Sequence, residues 1–320
     1  MARVHIMMAT YNGEKFIKEQ INSILKQTYT DWKLFISDDN SEDNTISIIE
    51  DFCKSDPDRI EIISTDKKGG AKKNFIYLFD NCPQAELYMF SDQDDVWLPE
   101  KIEKMVKEYD KQGKSNSLIY CDAKVVDSKL NVISKSFIKD IHYSEKNEFI
   151  LMNNYIPGCV MMIDDKMRSF IGTIPNKSFM HDWWLVLYAT FLGNIIPVND
   201  ALHLYRQHEW NAIGAKKNSS FYKNMTVLKE KNDNSYKKGL RSKYDQNVKR
   251  LKKRKKQNSE FFRLYKQELQ KEDSKIFTRF IKMCNSRYSL KSLIDFLKYF
   301  KVNNTLDNMV FASVIFKEKL

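Results

Sequence analysis

The chain has 320 residues, of which 42% are hydrophobic and 13% aromatic, too apolar for a disordered chain and enough to bury a large core. Its formal charge of +11 is unevenly placed: residues 1–215 hold 25 Lys+Arg against 32 Asp+Glu, whereas residues 216–320 hold 28 against 10. Five scattered cysteines without a C-x-x-C spacing argue against a disulfide framework or zinc site, and no window nears the roughly 20 apolar residues of a membrane-crossing helix.

In chain order, VHIMMA (4–9) predicts a first strand, and after Asn12-Gly13 the spacing of Phe16, Ile17, Ile21, Ile24 and Leu25 predicts a helix. The opening apolar stretch is too short for a signal-peptide core, so a cytoplasmic location is expected. KLFIS (33–37) predicts a second strand and 45–52 a helix; IEIIS (60–64) predicts a third, followed by the KKGGAKK loop (67–73) and a helix near 74–81. ELYMFS (86–91) predicts a fourth strand, and Pro99 opens a helix of about 12 residues. LIYCD, KVVD and NVIS suggest short strands or hairpins, GCVMMID (158–164) a strand and HDWWLVLYATFL (181–192) a helix. The alternation is that of βαβ units, and strands apolar on both faces indicate a mostly parallel central sheet with helices on both sides.

Ligands of open parallel sheets bind beyond the carboxyl ends of the strands. The polar clusters fall there: Thr10-Tyr11-Asn12, Asp38-Asp39-Asn40-Ser41, Gly69-Gly70, and Asp92-Gln93-Asp94-Asp95. Asp38 to Ser41 equally suit a helix cap. The 92–95 cluster also suits a solvated turn, but its three carboxylates repel one another unless a cation intervenes, and Mg²⁺ or Mn²⁺ bridging a diphosphate fits that spacing. Tyr11 could stack on a pyrimidine base, with a carboxylate of the second strand end accepting its ring N–H. His181-Asp182-Trp183-Trp184 and Tyr205-Arg206-Gln207-His208, with Asn211 and Gly214 after them, form the last polar constellation. Asp182 also suits a helix cap, and the two tryptophans point apart, so that one could face a sugar. No P-loop or G-x-G-x-x-G is present, and the first strand end lacks the G-x-G-T-R of a sugar nucleotidyltransferase.

The ordered set MMATYNGEKFIKEQINSILKQTYTDWKLFISDDNSEDNT, FSDQDDVWLPEK, MHDWW and YRQHEWNAIG resembles the family 2 glycosyltransferases, in particular their bacterial rhamnosyltransferase-type branch. The resemblance covers about residues 1–215 and implies a GT-A fold, Rossmann-like, for that catalytic domain. It implies that Thr10 and Tyr11 line the base pocket, Asp39 contacts the ring N–H, and Gly70 belongs to the nucleotide-sugar site. Asp92 would sit by the ribose; Asp94, supported by Asp95, would hold Mg²⁺ or Mn²⁺; and Arg206, Gln207 and His208 would lie near the diphosphate. Asp182 would be the general base of a metal-dependent, inverting displacement, with Trp183 and Trp184 on the acceptor side. The implied donor is dTDP-L-rhamnose, with UDP-glucose, UDP-galactose or UDP-N-acetylglucosamine as alternatives. The implied acceptor is a saccharide, carried on a polyprenyl diphosphate, in capsule, O-antigen or wall synthesis. Many members have an acid before the base, where this chain has His181, and the Q-x-x-R-W of processive members is absent.

Residues 216–320 read as a basic helical extension whose densest run is KRLKKRKK (249–256). That run suits a solvated helix face or an anionic membrane surface, which would make the protein peripheral on the inner face of a bacterial plasma membrane. Phe221, Tyr222, Phe261, Phe262, Phe277 and Phe280 are candidates for an interfacial apolar face. Nucleic acid is not an expected partner: the body is acidic, and the tail lacks a helix-turn-helix, zinc finger or RNA-binding aromatic signature.

Overall fold

Every residue of β1 (Val4–Thr10) is buried, which requires cover on both faces and explains its unbroken apolar run. The computed structural model describes residues 2–140, 147–208, 233–300, 305–318 and 320. Two compact units divide the chain: Met1–His142, Asn154–Asn176 and Met180–Trp210 form the first, and Tyr143–Asn153, Lys177–Phe179 and Asn211–Leu320 the second. This differs from a single cut after residue 215, because two short segments of the body belong with the tail. Asn258 donates to the carbonyl of Leu151 at 3.0 Å, and Gln257 accepts from the Phe179 N–H at 2.7 Å.

In the first unit β1 pairs in parallel with β2 (Trp32–Asp38) and β4 (Leu87–Ser91), and β2 with β3 (Ile60–Ser64). Helices α1 (Ile17–Leu25), α2 (Thr45–Ser55) and α3 (Ala71–Asn81) make the crossovers, and α1 buries Ile17, Ile21 and Ile24 at helical spacing. After the two-residue β5 (Val96–Trp97) comes α4 (Lys101–Gln112), closed by Gly113 in the left-handed region. Beyond β4 the sheet becomes mixed. Its order is β3-β2-β1-β4-β8-β6-β9-β5, with β8 (Met161–Asp164) antiparallel to both neighbours, the short β7 (Val132–Ser134) beside β6 (Ser117–Val126), and β9 spanning Asn194–Arg206.

Three local differences from the expected elements have physical causes. LIYCD and KVVD form one strand, β6, rather than two. Residues 158–160 make a 3-10 turn instead of starting β8, and Gly158 in it packs so near His181 that a Cβ would lie 2.7 Å from Nε2. The sequence gives no sign of β9 (Asn194–Arg206), which contains Pro197, Asn199 and Asp200. It pairs in parallel with β6 while its partner jumps from Val198 to Ala201 between Cys121 and Asp122, so a bulge takes up Asn199 and Asp200. The remaining helices of this unit are α5 (Phe137–Asp140), α7 (Asp165–Ile171) and α8 (His181–Leu192).

The second unit contains α6 (Glu148–Met152), α9 (Asp233–Tyr265), α10 (Lys271–Asn285), α11 (Leu290–Tyr299) and α12 (Thr305–Lys317). Its aromatic residues correct the interfacial expectation: Phe261, Phe277 and Phe280 are buried. Phe261 and Phe262 stack on Phe277 at 5.3 and 5.8 Å, and Phe280 meets Phe300 edge-on at 5.4 Å, so these rings form the unit's core. Phe221, Tyr222, Asn211 and Gly214 lie outside the described residues. Among the described residues no helix is long and apolar enough to cross a membrane.

The helix α8 is buried on nearly every side, with Trp184 fully enclosed. Trp184→Ala is therefore expected to lower stability by about 3–5 kcal/mol, read from the urea midpoint. An unchanged midpoint with weakened acceptor binding would return this ring to the acceptor side.

Candidate active site

The ends of β1 and β2 are cross-tied by side chains. Thr10 Oγ1 donates to Asp38 Oδ2 at 2.6 Å, and the same carboxylate accepts from the N–H and hydroxyl of Ser41 at 2.6 and 2.7 Å. Asn74 spans both strand ends, donating to the carbonyls of Ser37 and Thr10 at 2.7 and 3.3 Å. Thr10 is thus a buried brace, and its hydroxyl is directed at Asp38. Tyr11 is 53% exposed. Its backbone is clamped by Gln93, whose Oε1 accepts from the Tyr11 N–H and whose Nε2 donates to the Tyr11 carbonyl, both at 2.8 Å. Gly13 leaves room for this clamp, since a Cβ there would lie 2.3 Å from Gln93 Oε1.

Asp39 accepts from the backbone N–H groups of Lys68, Gly69 and Gly70, the last two at 2.8 and 2.5 Å. Burial opposes ionisation of this carboxyl, but those three donors outweigh it and hold its pKa below the usual value. Gly69 and Gly70 have φ of 87° and 110°, and open space faces the Gly70 Cα. A carboxylate has about four acceptor sites, so Asp39 shapes the glycine loop and keeps roughly one for a ligand N–H.

The aspartates after β4 divide sharply. Asp95 is fully buried: its Oδ1 accepts from the Arg206 N–H and its Oδ2 from His203 Nε2, both at 2.8 Å. On the far side of the imidazole, Lys101 Nζ lies 3.1 Å from His203 Nδ1, 2.6 Å from the Cys159 carbonyl and 3.7 Å from the Trp97 ring centre. An ammonium only donates, so Nδ1 accepts and the proton of His203 sits on Nε2. Burial pushes the imidazole pKa well below its ordinary value and likewise lowers that of Lys101, while burial and then Asp94 raise that of Asp95. Asp95, Cys159 and His203 could geometrically hold a metal, their ligand atoms lying within 4.8 Å of one another. Lys101 Nζ lies beside that pocket, 3.1 Å from His203 Nδ1, and in its protonated form it would repel a cation there.

Asp94 is different. Its Oδ2 lies 2.7 Å from His208 Nε2 and is partly exposed. The imidazole of His208 stacks on Phe16 at 4.9 Å. A partly exposed carboxylate oxygen beside an imidazole nitrogen is a donor set that suits Mn²⁺ or Mg²⁺. Of the two aspartates expected to hold the metal, Asp95 is engaged by His203 and Arg206, whereas Asp94 lies beside His208.

Arg206 is also placed differently from its expected post by the diphosphate. Its guanidinium is buried against Phe16 and donates to the Asp94 and Ser128 carbonyls at 2.7 and 2.8 Å and to Glu19. It positions the Asp94 turn. Gln207 donates its N–H to Val126 at 2.8 Å, continuing the β6 pairing.

Asp182 lies in the first turn of α8, half-buried, with Oδ1 accepting from the Trp183 N–H at 2.6 Å. Burial raises its pKa to about 6, against the pull of the Trp183 and Gly158 N–H groups and Asn154. Its charge in turn helps raise that of Asp92, after burial and the charges of Asp95 and Asp94. Trp183 and Trp184 are core residues, not acceptor contacts. His181 stacks on Phe75 at 4.2 Å, and burial lowers its pKa to about 3, leaving a neutral ring beside the crevice.

Residues 5–170 match the family model "Glycosyl transferase family 2". The chain belongs to the family 2 glycosyltransferases. It is 35% identical over 245 residues to the dTDP-rhamnosyl transferase RfbG of Shigella flexneri, covering 70% of this chain and 80% of that one. It is 29% identical over 203 residues to the UDP-Glc:alpha-D-GlcNAc-diphosphoundecaprenol beta-1,3-glucosyltransferase WfgD of Escherichia coli, covering 61% and 73%. Among solved structures, S. aureus TarS 1-349 in complex with UDP-GlcNAc superimposes with a TM-score of 0.55 at 15% identity, over 98% of this chain and 90% of that one. The chain spans 41% of a longer TarS chain. At that identity the likeness shows the fold, the GT-A arrangement.

Sequence reasoning missed Lys101, His203, Gln93 and Gly158. Lys101 had a signal: it falls four residues before Met105, on the inward face of α4. Lys101→Met is expected to cost about 3–5 kcal/mol in urea unfolding by stranding the Asp95 charge. Asp95→Asn in the same chain should recover part of that loss, and strictly additive costs would show the two groups to be uncoupled.

Proposed function

We propose that this glycosyltransferase moves L-rhamnose from dTDP-L-rhamnose to a hydroxyl of a saccharide carried on a polyprenyl diphosphate, in one inverting displacement. The observation that carries the reaction type is the division of the acids: Asp182 has a pKa lifted to about 6 and is hydrogen-bonded by Trp183, whereas Asp94 is paired with His208. A carboxyl tuned toward neutrality can take a proton from a sugar hydroxyl, whereas one committed to a cation cannot. The donor is argued from RfbG, whose name gives dTDP-rhamnose; the lipid-linked acceptor, and UDP-glucose as a second donor, are argued from WfgD.

In this account Tyr11 stacks on the thymine and the free acceptor site of Asp39 takes its ring N–H. Asp92 meets the ribose. Asp94 and His208 would hold Mg²⁺ or Mn²⁺, which when bound offsets the charge growing on the leaving diphosphate. Asp182 removes the proton of the acceptor hydroxyl as its oxygen attacks the anomeric carbon; the bond to the phosphate oxygen breaks, and its electron pair leaves with dTDP. Attack from the face opposite the leaving group inverts the anomeric centre.

Turnover across dTDP-L-rhamnose, UDP-glucose, UDP-galactose and UDP-N-acetylglucosamine tests the donor, with the rhamnose donor expected to exceed the others in kcat/KM by at least about tenfold. A clear preference for a UDP-hexose would overturn that assignment. Asp182→Asn should lose on the order of 100-fold or more in transfer while donor affinity stays near that of the parent. The acidic limb of kcat/KM should bend near pH 6, since Asp182 must be ionised to accept the proton and is protonated below that pH. Full transfer by the asparagine variant would remove Asp182 as the base.

A further inference from the structure

The second unit ends in helices whose outer surface is not what a solvated helix displays. The helix α11 is capped by Ser289, whose side chain accepts from the Ser292 N–H, and is anchored inward by the fully buried Phe296. On its other side Leu290, Ile294 and Leu297 are 69%, 59% and 42% exposed. These residues stand at i, i+4 and i+7, within about 60° of arc, and form a continuous apolar stripe along most of the helix. Exposed Lys291 and Lys298 border it along one flank. The acid of this helix, Asp295, points elsewhere, 4.0 Å from Arg279.

An apolar stripe with a lysine border fits an interface between hydrocarbon and anionic headgroups: the leucines and isoleucine enter the acyl boundary while the ammonium groups stay at phosphate depth. The surrounding chain favours the same occupant, since residues 216–320 carry 28 basic against 10 acidic side chains. It disfavours a second copy. A two-fold seam built on this stripe would set the same basic patch against itself.

We propose that the Leu290–Ile294–Leu297 face of α11 docks the protein on an anionic lipid bilayer. The KRLKKRKK run contributes long-range attraction, while the stripe supplies the apolar anchor; of that run, Lys249, Lys252, Lys253 and Lys256 are exposed along α9. This deepens the lipid-linked acceptor of the proposed function by placing the enzyme where such a lipid resides.

The test is co-sedimentation of the full chain, without donor or acceptor, with vesicles of phosphatidylcholine plus phosphatidylglycerol and with vesicles of phosphatidylcholine alone. The parent chain should partition onto the mixed vesicles, and a Leu290→Gln, Ile294→Gln, Leu297→Gln variant should bind them on the order of tenfold or more weakly. All three positions are exposed, so the variant should keep its thermal midpoint and its donor turnover in solution. A parent that stays in the supernatant, a variant that sediments like the parent, or a parent dimer that the variant splits in sedimentation velocity would each overturn the proposal. Loss of donor turnover by the parent chain would instead count against the glycosyltransferase chemistry, leaving the vesicle result to be judged alone.

Discussion

One buried carboxylate holds the crevice together. Asp95 has no access to solvent, and its two oxygens connect the segment after β4 to His203 and Arg206 on β9, with Lys101 of α4 completing the line through His203. A lone ion at such depth would carry a large desolvation cost, and an ammonium at the other end of a neutral imidazole offsets it. Because β9 is aligned through Asp95, its last residues arrive where Arg206 can grip the Asp94 carbonyl and His208 can face the Asp94 carboxylate. The rim of the site is thus set by contacts buried behind it.

That arrangement also explains how several acids coexist in a small space. Asp39 is kept ionised by three backbone N–H groups, Asp95 is balanced by Lys101, and Asp94 faces an imidazole. Burial raises Asp92, Asp95 and Asp182 alike, and at Asp182 it outweighs the donors from Trp183, Gly158 and Asn154. Repulsion that would be a defect in a structural turn becomes a means of binding cationic charge and of holding a base near neutrality.

The four parallel strands were legible because each is an apolar run covered on both faces and ends in polar residues, and the crevice followed from where those ends lie. The β9 strand was hidden by Pro197, Asn199 and Asp200, which normally mark loops; a bulge opposite Asp122 accommodates the last two. Adjacent tryptophans at 183 and 184 suggested one outward ring, but α8 is surrounded, so direction along the helix does not imply exposure. Charge misled at Arg206: a guanidinium beside a polar loop can be a ligand contact or an internal clamp, and only the neighbours Phe16, Glu19 and Ser128 decide. Aromatic residues in the basic tail read as interfacial, whereas Phe261, Phe277 and Phe280 stack into a core and leave the exposed apolar surface to aliphatic residues of α11.

We propose that in this family 2 glycosyltransferase cation binding and proton removal use different groups, Asp94 with His208 for the first and Asp182 for the second. Anomalous scattering from crystals grown with Mn²⁺ and dTDP tests this most directly. A manganese peak is expected within coordination distance of Asp94 and His208. A peak inside the Asp95–Cys159–His203 pocket, or one ligated by Asp182, would contradict it.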